Sequence, residues 1–353
     1  MNQTKILKVN PLTPQEEIIR QAAKVLTDGG LVIIPTETVY GIAANALDKN
    51  ALARLYKIKN RPKNKPFAIL IAQKEKVQEL AHDIPVAAYK LMNKFWPGPL
   101  TLILKSISDD KVGLRMPDNL VALKIIMQSG LPLACPSANI SGQPAPADFE
   151  QAIKDMDGLV ELAIEAGLAK VGLESTVVDL SVEPAQIARS GAIKDEAIMT
   201  VIKTKNVLFV CTGNSCRSVM AEAYLKKLLQ NQRRTDIQVS SAGIMALVGG
   251  GASEGTREVL GKEGIDVGMH RTQRVTRELL DQSDIILVMD EMHESKILEL
   301  APKVKNRLFL LKEFARINDN NLNIPDPVGG TFEFYQDTFL TIKDAVERIS
   351  KIL

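Results

Sequence analysis

Apolar positions in this chain recur with two different periods, and the two periods alternate along its length. Between Thr13 and Leu26 the residues Ile18, Ile19, Ala22, Ala23 and Leu26 fall at helical spacing. Thr13 and Glu16 read as a capping box, with Pro14 at the first helical position. Gly29-Gly30 stops that helix, and Leu31-Val32-Ile33-Ile34 follows as a buried strand. Strand and helix patterns keep alternating down to about Ile193, which predicts one α/β domain. Lys194 to Lys203 reads as a short helix or linker. From Asn206 a fresh alternation begins, with strands at 207–210, 238–241, 285–289 and 307–311. Helices are expected from Ser218, near 254–263 and from about Phe332. The seam falls near residue 200, so the expected domains are 1–200 and 201–353.

Composition narrows the class without naming a partner. Of 353 residues, 45% are hydrophobic and 24% charged, as in ordinary soluble globular protein. The formal charge is +2, with 24 basic and 22 acidic residues in 1–203 and 20 of each in 204–353. Neither half is a basic nucleic-acid platform overall. Three cysteines, two of them in one loop, fit a reducing compartment. The start, Met1 to Lys8, has no apolar signal core, and no apolar run nears membrane-spanning length. The expected location is the cytoplasm. There is no internal repeat, and no Walker-type or dinucleotide glycine fingerprint.

The candidate chemistry concentrates at Cys211-Thr212-Gly213-Asn214-Ser215-Cys216-Arg217-Ser218. The apolar run Val207 to Val210 leads into it, and Met220 to Leu225 reads as a helix after it. A strand, a tight loop and a helix start converge N–H groups and the helix dipole on one point, which suits an anion. The same field is expected to draw the Cys211 thiol toward thiolate. Arg217 offers a planar fork for two phosphate oxygens. A metal site would need more partners than Cys135, His82, His270 and His293 supply, and no metal is expected. A buried structural cysteine would not need Gly, Asn, Ser and Arg around it. About 150 residues of alternation around this loop predict a doubly wound parallel sheet with the site at its strand ends.

Over 205–353 the chain resembles the low-molecular-weight protein tyrosine phosphatase family. The resemblance rests on that loop, on Ser241-Ala242-Gly243, on His270-Arg271, on Asp284 to Met289 and on Ile324-Pro325-Asp326-Pro327. It implies a two-step mechanism that needs no cofactor. Cys211 would attack phosphorus to give a phosphocysteine, Arg217 and loop N–H groups would hold the oxygens, and Asp326 would serve as general acid and then base. Asn214 would brace the loop, and Ser218 would donate to the thiolate. Cys216 would either form a reversible disulfide with Cys211 or pack as a small loop residue. Two departures bear on the phosphoprotein substrate. Ser215 stands where the family usually has a branched apolar residue, and Val328 stands where aromatics follow the acid. A small polar residue at 215 resembles the protein-arginine phosphatase branch, so phosphoarginine competes with phosphotyrosine as the expected substrate. Val219 replaces a common proline, with no functional meaning attached. The related arsenate reductases need further redox cysteines, and none follows Cys216.

In the first half, spacing alone shows little: six basic residues and no acid from Arg54 to Lys65, and small polar loops. Together, Pro35 to Gly41, Lys59-Asn60-Arg61-Pro62, Pro97 to Thr101, Arg115-Met116-Pro117, Pro136 to Gly142, Ser175 to Asp179 and Arg189 to Ala192 resemble the YrdC-type threonylcarbamoyl-AMP synthase family over about 10–193. The resemblance implies a twisted mixed sheet with helices. It also implies synthesis of threonylcarbamoyl adenylate from L-threonine, bicarbonate and ATP with Mg²⁺, for modification of tRNA adenosine 37 by a separate threonylcarbamoyl transferase complex. Lys59, Arg61, Ser137, Asn139 and Arg189 would meet the nucleotide. Thr36, Thr38, Arg115 and Ser175 would line the threonine end. Cys135 reads as packing. The extra domain of the family's longer members is replaced here by the phosphatase-like half. Two competing readings of the first half are a double-stranded RNA-binding module without catalysis and carbamoyl transfer as in hydrogenase maturation. The second of these travels with acylphosphatase and zinc-finger modules, which this chain does not have.

Overall fold

The computed structural model describes residues 3–108 and 110–353; Met1, Asn2 and Asp109 lie outside the described residues. It divides into two compact units, Met1–Val201 and Ile202–Leu353. The division falls inside the helix Asp195–Lys203.

The first unit is a ten-stranded mixed sheet. Its strands are β1 (Lys5–Lys8), β2 (Val32–Ile34), β3 (Gly41–Asn45), β4 (Ile69–Leu70), β5 (Leu100–Lys105), β6 (Lys111–Arg115), β7 (Leu133–Ala134), β8 (Leu162–Glu165), β9 (Thr176–Asp179) and β10 (Gln186–Arg189). Their order is β1-β8-β2-β3-β7-β4-β6-β5-β9-β10. The run Leu31 to Ile34 shows why the interior is apolar on both faces of the sheet. Val32 and Ile34 pack with Ile19, Leu26, Val121 and Ile125 on one side. Leu31 and Ile33 pack with Ile42, Leu55, Phe149 and Met156 on the other.

The first helix departs from its expected start. It spans Glu16–Thr27 with Gln15 as N-cap and no side-chain cap. The Glu16 carboxylate bonds Lys124 instead of returning to Thr13. Asn10 Oδ1 takes the Leu12 and Thr13 N–H groups at 2.9 and 3.2 Å. An ion pair to a distant helix and a local Asx turn have displaced the capping box.

The second unit is a four-stranded parallel sheet of β11 (Lys205–Cys211), β12 (Ile237–Gly243), β13 (Ile285–Val288) and β14 (Leu308–Leu310). Its order is β12-β11-β13-β14. Val207 and Phe209 face one core, shared with helices Arg217–Asn231 and Phe332–Ile349. Leu208 and Val210 face a second core with Leu280 and Ile297. The chain runs from β11 to β12 on one side and then to β13 on the other. The crevice of this doubly wound sheet therefore opens at the carboxyl end of β11. Cys211 is the last residue of that strand.

Candidate active sites

Cys211 lies at the strand end, 2% exposed, and the loop closes around its sulfur. Sγ sits 3.0 Å from Ser218 Oγ and accepts the Asn214 N–H at 3.3 Å. Asn214 organises the loop from a left-handed backbone conformation, φ 54°. Its Nδ2 donates to Ser218 Oγ at 3.0 Å and to Ser241 Oγ at 2.7 Å, while Oδ1 accepts the Gln273 N–H at 2.9 Å. The Ser241-Ala242-Gly243 stretch has a steric reason. A Cβ on Gly243 would come within 2.5 Å of Thr212 O and 2.8 Å of Asn214 N. Gly213 and half-buried Ser215 complete the turn, and Cys216 Sγ is buried 3.1 Å from Ser253 Oγ and 3.6 Å from Tyr335 OH.

Arg217, 3% exposed, is held from several directions. Nη1 donates to Asp290 Oδ2 at 3.0 Å and Ile324 O at 2.9 Å. Nη2 donates to Thr212 Oγ1 at 3.1 Å and Asp326 Oδ2 at 2.5 Å. Nε is buried without a hydrogen-bond partner among the described residues, a donor available to a bound anion. Asp326 is thereby brought to the same guanidinium as the loop. Burial works to raise the Asp290 carboxyl, but His293 and Arg217 outweigh it and hold it at about 2.

The surroundings of the Cys211 thiol act in opposite directions. Burial, the largest effect, pushes the thiol above its ordinary value against the pull of Ser218, Arg217 and Asn214. The Arg217 charge is shared with two carboxylates, Asp290 and Asp326, and this weakens its field at the sulfur.

In the first unit a cavity of about 390 Å³ gathers residues from distant segments. Thr36, Thr38, Lys59, Arg61, Arg115, Ser137, Ser175 and Arg189 line it; Asn139 does not. Gly41 allows the close approach of β3 to the Cys135–Pro136 turn, because a Cβ there would meet Cys135 Sγ at 2.5 Å. Helix Lys49–Lys59 ends at Asn60 in the left-handed conformation, φ 47°, which turns Arg61 into the cavity wall.

Lys59 is 2% exposed, and its ammonium is occupied by the next loop. Nζ donates to Ser137 O at 2.6 Å, to Asn139 Oδ1 at 2.9 Å and to Asn139 O. Burial and nearby Arg61 lower it to about 8. Lys59 thus braces the Ser137–Asn139 loop, and Asn139 acts behind the wall. Arg61 lies over the Phe67 ring, 5.3 Å from its centroid, and donates to Lys65 O at 2.8 Å. Arg189 donates to Glu174 Oε1 at 2.7 Å and Ser175 O at 2.8 Å.

At the other end Arg115 Nη2 donates to Glu37 Oε1 and Thr38 Oγ1, both at 2.8 Å. Thr36 Oγ1 and Thr38 Oγ1 are 2.9 Å apart, and Thr101 and Ser175 hydroxyls 2.8 Å apart. Arg115 Nε is buried without a partner among the described residues. Sequence reasoning missed Glu37, Thr101, Lys111 and Glu174; Glu37 lay within a quoted motif, whereas strand pairing alone brings Lys111 to the cavity. The cavity carboxylate, Glu174, already meets a cation, and no cluster of three His, Cys, Asp or Glu among the described residues could hold a metal. The donor set fits a polyanion better than a protein-held Mg²⁺.

A cation-lined cleft on a mixed sheet and a cysteine-arginine loop on a doubly wound sheet define two phosphate-handling classes. Residues 24–191 match the Sua5/YciO/YrdC family, described as Telomere recombination. Residues 206–353 match the family described as Low molecular weight phosphotyrosine protein phosphatase. A threonylcarbamoyl-AMP synthase of Pyrococcus abyssi is 44% identical over 197 residues, 53% of this chain and 58% of that protein. The crystal structure of P. abyssi Sua5 complexed with L-threonine is 33% identical, with a TM-score of 0.55, over 68% of this chain and 84% of that one. A protein-arginine-phosphatase of Geobacillus stearothermophilus is 36% identical over 147 residues, 42% of this chain and 95% of that protein. The chain therefore spans little more than half the length of the archaeal synthase. It belongs to the Sua5/YciO/YrdC family in its first unit and to the low-molecular-weight phosphatase family in its second. No helix among the described residues is long and apolar enough to cross a membrane.

Proposed function

We propose that the chain is a bifunctional enzyme. Its first unit makes threonylcarbamoyl-AMP from L-threonine, bicarbonate and ATP, and its second is a cysteine-dependent protein phosphatase. For the synthase, the carrying observation is the convergence of Arg61, Arg115, Arg189, Ser137, Ser175, Thr36 and Thr38 on one cavity. Threonine and bicarbonate condense to a carbamate with loss of water, the carbamate attacks the α-phosphorus, and pyrophosphate leaves. Arg61 and Arg189, with the loop that Lys59 braces, stabilise the accumulating negative charge. Arg115 Nε and the threonine hydroxyls orient the amino acid. Mg²⁺, expected from the resemblance, would share the charge of the nucleotide's phosphates. The product would serve tRNA adenosine-37 modification by a separate transferase complex. Threonine- and bicarbonate-dependent ATP–pyrophosphate exchange tests this reading; RNA binding without exchange would favour the non-catalytic alternative.

For the phosphatase, the carrying observation is that one loop holds the Cys211 sulfur, through Ser218 and Asn214, and the Arg217 fork, which engages Thr212 and Asp326. Cys211 enters as the thiolate, the form that Ser218, Arg217 and Asn214 favour, and its sulfur forms a bond to phosphorus while the bond to the leaving group breaks. Asp326 gives that group its proton, then takes one from the water that cleaves the phosphocysteine. Phosphoarginine is the favoured substrate. The half-buried Ser215 hydroxyl can accept a guanidinium N–H, and Val328, 64% exposed, offers little aromatic wall. The similarity to a named protein-arginine-phosphatase supports the same choice. The test is kcat/KM on matched phosphoarginine and phosphotyrosine peptides for wild type and Ser215→Ile. A wild-type preference for phosphotyrosine, or an unchanged ratio, removes Ser215 from the account.

A further inference from the structure

His293 has no part in the chemistry above, yet it is fully buried beside it, 0% exposed, on helix Glu291–Leu300. Its Nδ1 lies 2.7 Å from Asp290 Oδ1, and its Nε2 lies 3.0 Å from Thr212 Oγ1. Arg217 reaches the same two residues, Asp290 Oδ2 through Nη1 at 3.0 Å and Thr212 Oγ1 through Nη2 at 3.1 Å. Three hydrogen bonds and one close polar contact, His293 Nδ1 to Asp290 Oδ1, therefore join four side chains in a ring: Arg217, Asp290, His293 and Thr212.

A carboxylate only accepts, so Nδ1–H faces Asp290. The Nε2 edge meets the Thr212 hydroxyl, whose oxygen also accepts from Arg217. Asp290 is itself fixed, because its Oδ1 caps the helix on the His293 backbone N–H at 3.0 Å. A rigid ring with a polar nitrogen on each edge suits this bridge.

We infer that His293 is a positioning residue for phosphoryl transfer, holding the Arg217 fork and the Thr212 end of the loop in register through Asp290 and Thr212. This rests on the phosphatase reading. Its effect falls on the transition state, where charge spreads over oxygens that the fork must meet in plane, more than on ground-state binding.

The test uses the full chain with p-nitrophenyl phosphate as substrate and with vanadate and inorganic phosphate as inhibitors. His293→Gln, His293→Leu and Thr212→Val are each expected to lower kcat about tenfold or more, with KM changed about twofold or less. Vanadate affinity should fall more than phosphate affinity, since vanadate resembles the transferring group. The His293→Gln, Thr212→Val pair should lose less than the product of the single losses, because both act on one ring. His293→Gln should retain part of what His293→Leu loses. If His293→Leu does not fold, the Gln and Val variants carry the same comparison. Multiplicative losses, equal shifts for both inhibitors, or wild-type kinetics in a folded His293 variant would overturn the inference. Absence of wild-type turnover, or its persistence in Cys211→Ser, would instead overturn the phosphatase reading.

Discussion

The phosphate loop and the first-unit cavity handle similar chemistry by different constructions. In the loop, eight consecutive residues and one flanking strand place the nucleophile, and Asn214 ties the turn through its side chain. In the cavity, the wall is drawn from segments between Thr36 and Arg189, and its cations are already engaged by Glu37, Asp179, Glu174 or backbone carbonyls. A contiguous loop depends on local backbone geometry. A dispersed cavity depends on the fold, so its polar groups carry stability as well as binding.

The largest expected effect breaks the loop alone. Cys211→Ser should reduce phosphatase turnover to about a thousandth of wild type or less, while phosphate and vanadate still bind. Substantial turnover in that variant would remove Cys211 as the nucleophile. In the cavity, Lys59→Ala should cut adenylate formation about a hundredfold, roughly 3 kcal/mol, because the Ser137–Asn139 loop loses its brace. Phosphatase rates should not move. Wild-type exchange in Lys59→Ala would show that the loop holds itself.

Stability sharpens the contrast. Arg115→Ala leaves the buried Glu37 carboxylate unpaired and should destabilise the first unit by about 3–5 kcal/mol in denaturant titration. Asp326→Ala removes a carboxylate that is 38% exposed and leaves Arg217 its Asp290 partner, so the second unit should change by about 1 kcal/mol or less. Equal losses would contradict the difference drawn between the two sites.

The smallest effect concerns the thiol. Asp326→Asn removes one of the two charges that share Arg217, so the Cys211 pKa should fall. Alkylation by iodoacetamide at neutral pH should then rise about threefold. An unchanged or slower rate would show that burial alone sets the thiol.

These differences explain what could be read from the chain. The loop was legible because its residue types sit in one short motif, and the parallel second sheet followed from the alternation around it; the acid role of Asp326 was reached only through the family resemblance. The cavity was legible only through its resemblance to a family, since nothing local places Lys111 beside Thr101. His293 was missed because β11–β13 pairing, and not any motif, brings its helix to Thr212. The Thr13–Glu16 capping box failed because Glu16 found Lys124. The positive loop around the thiol was visible in the sequence, while its burial and the two carboxylates that share Arg217 were not.

The central claim is two separate activities on one chain, and ATP–pyrophosphate exchange on full-length Cys211→Ser protein tests it most directly. Exchange that requires both threonine and bicarbonate, at the wild-type rate, is the expected result. No exchange in wild type and variant alike, or exchange that falls with Cys211, would contradict it.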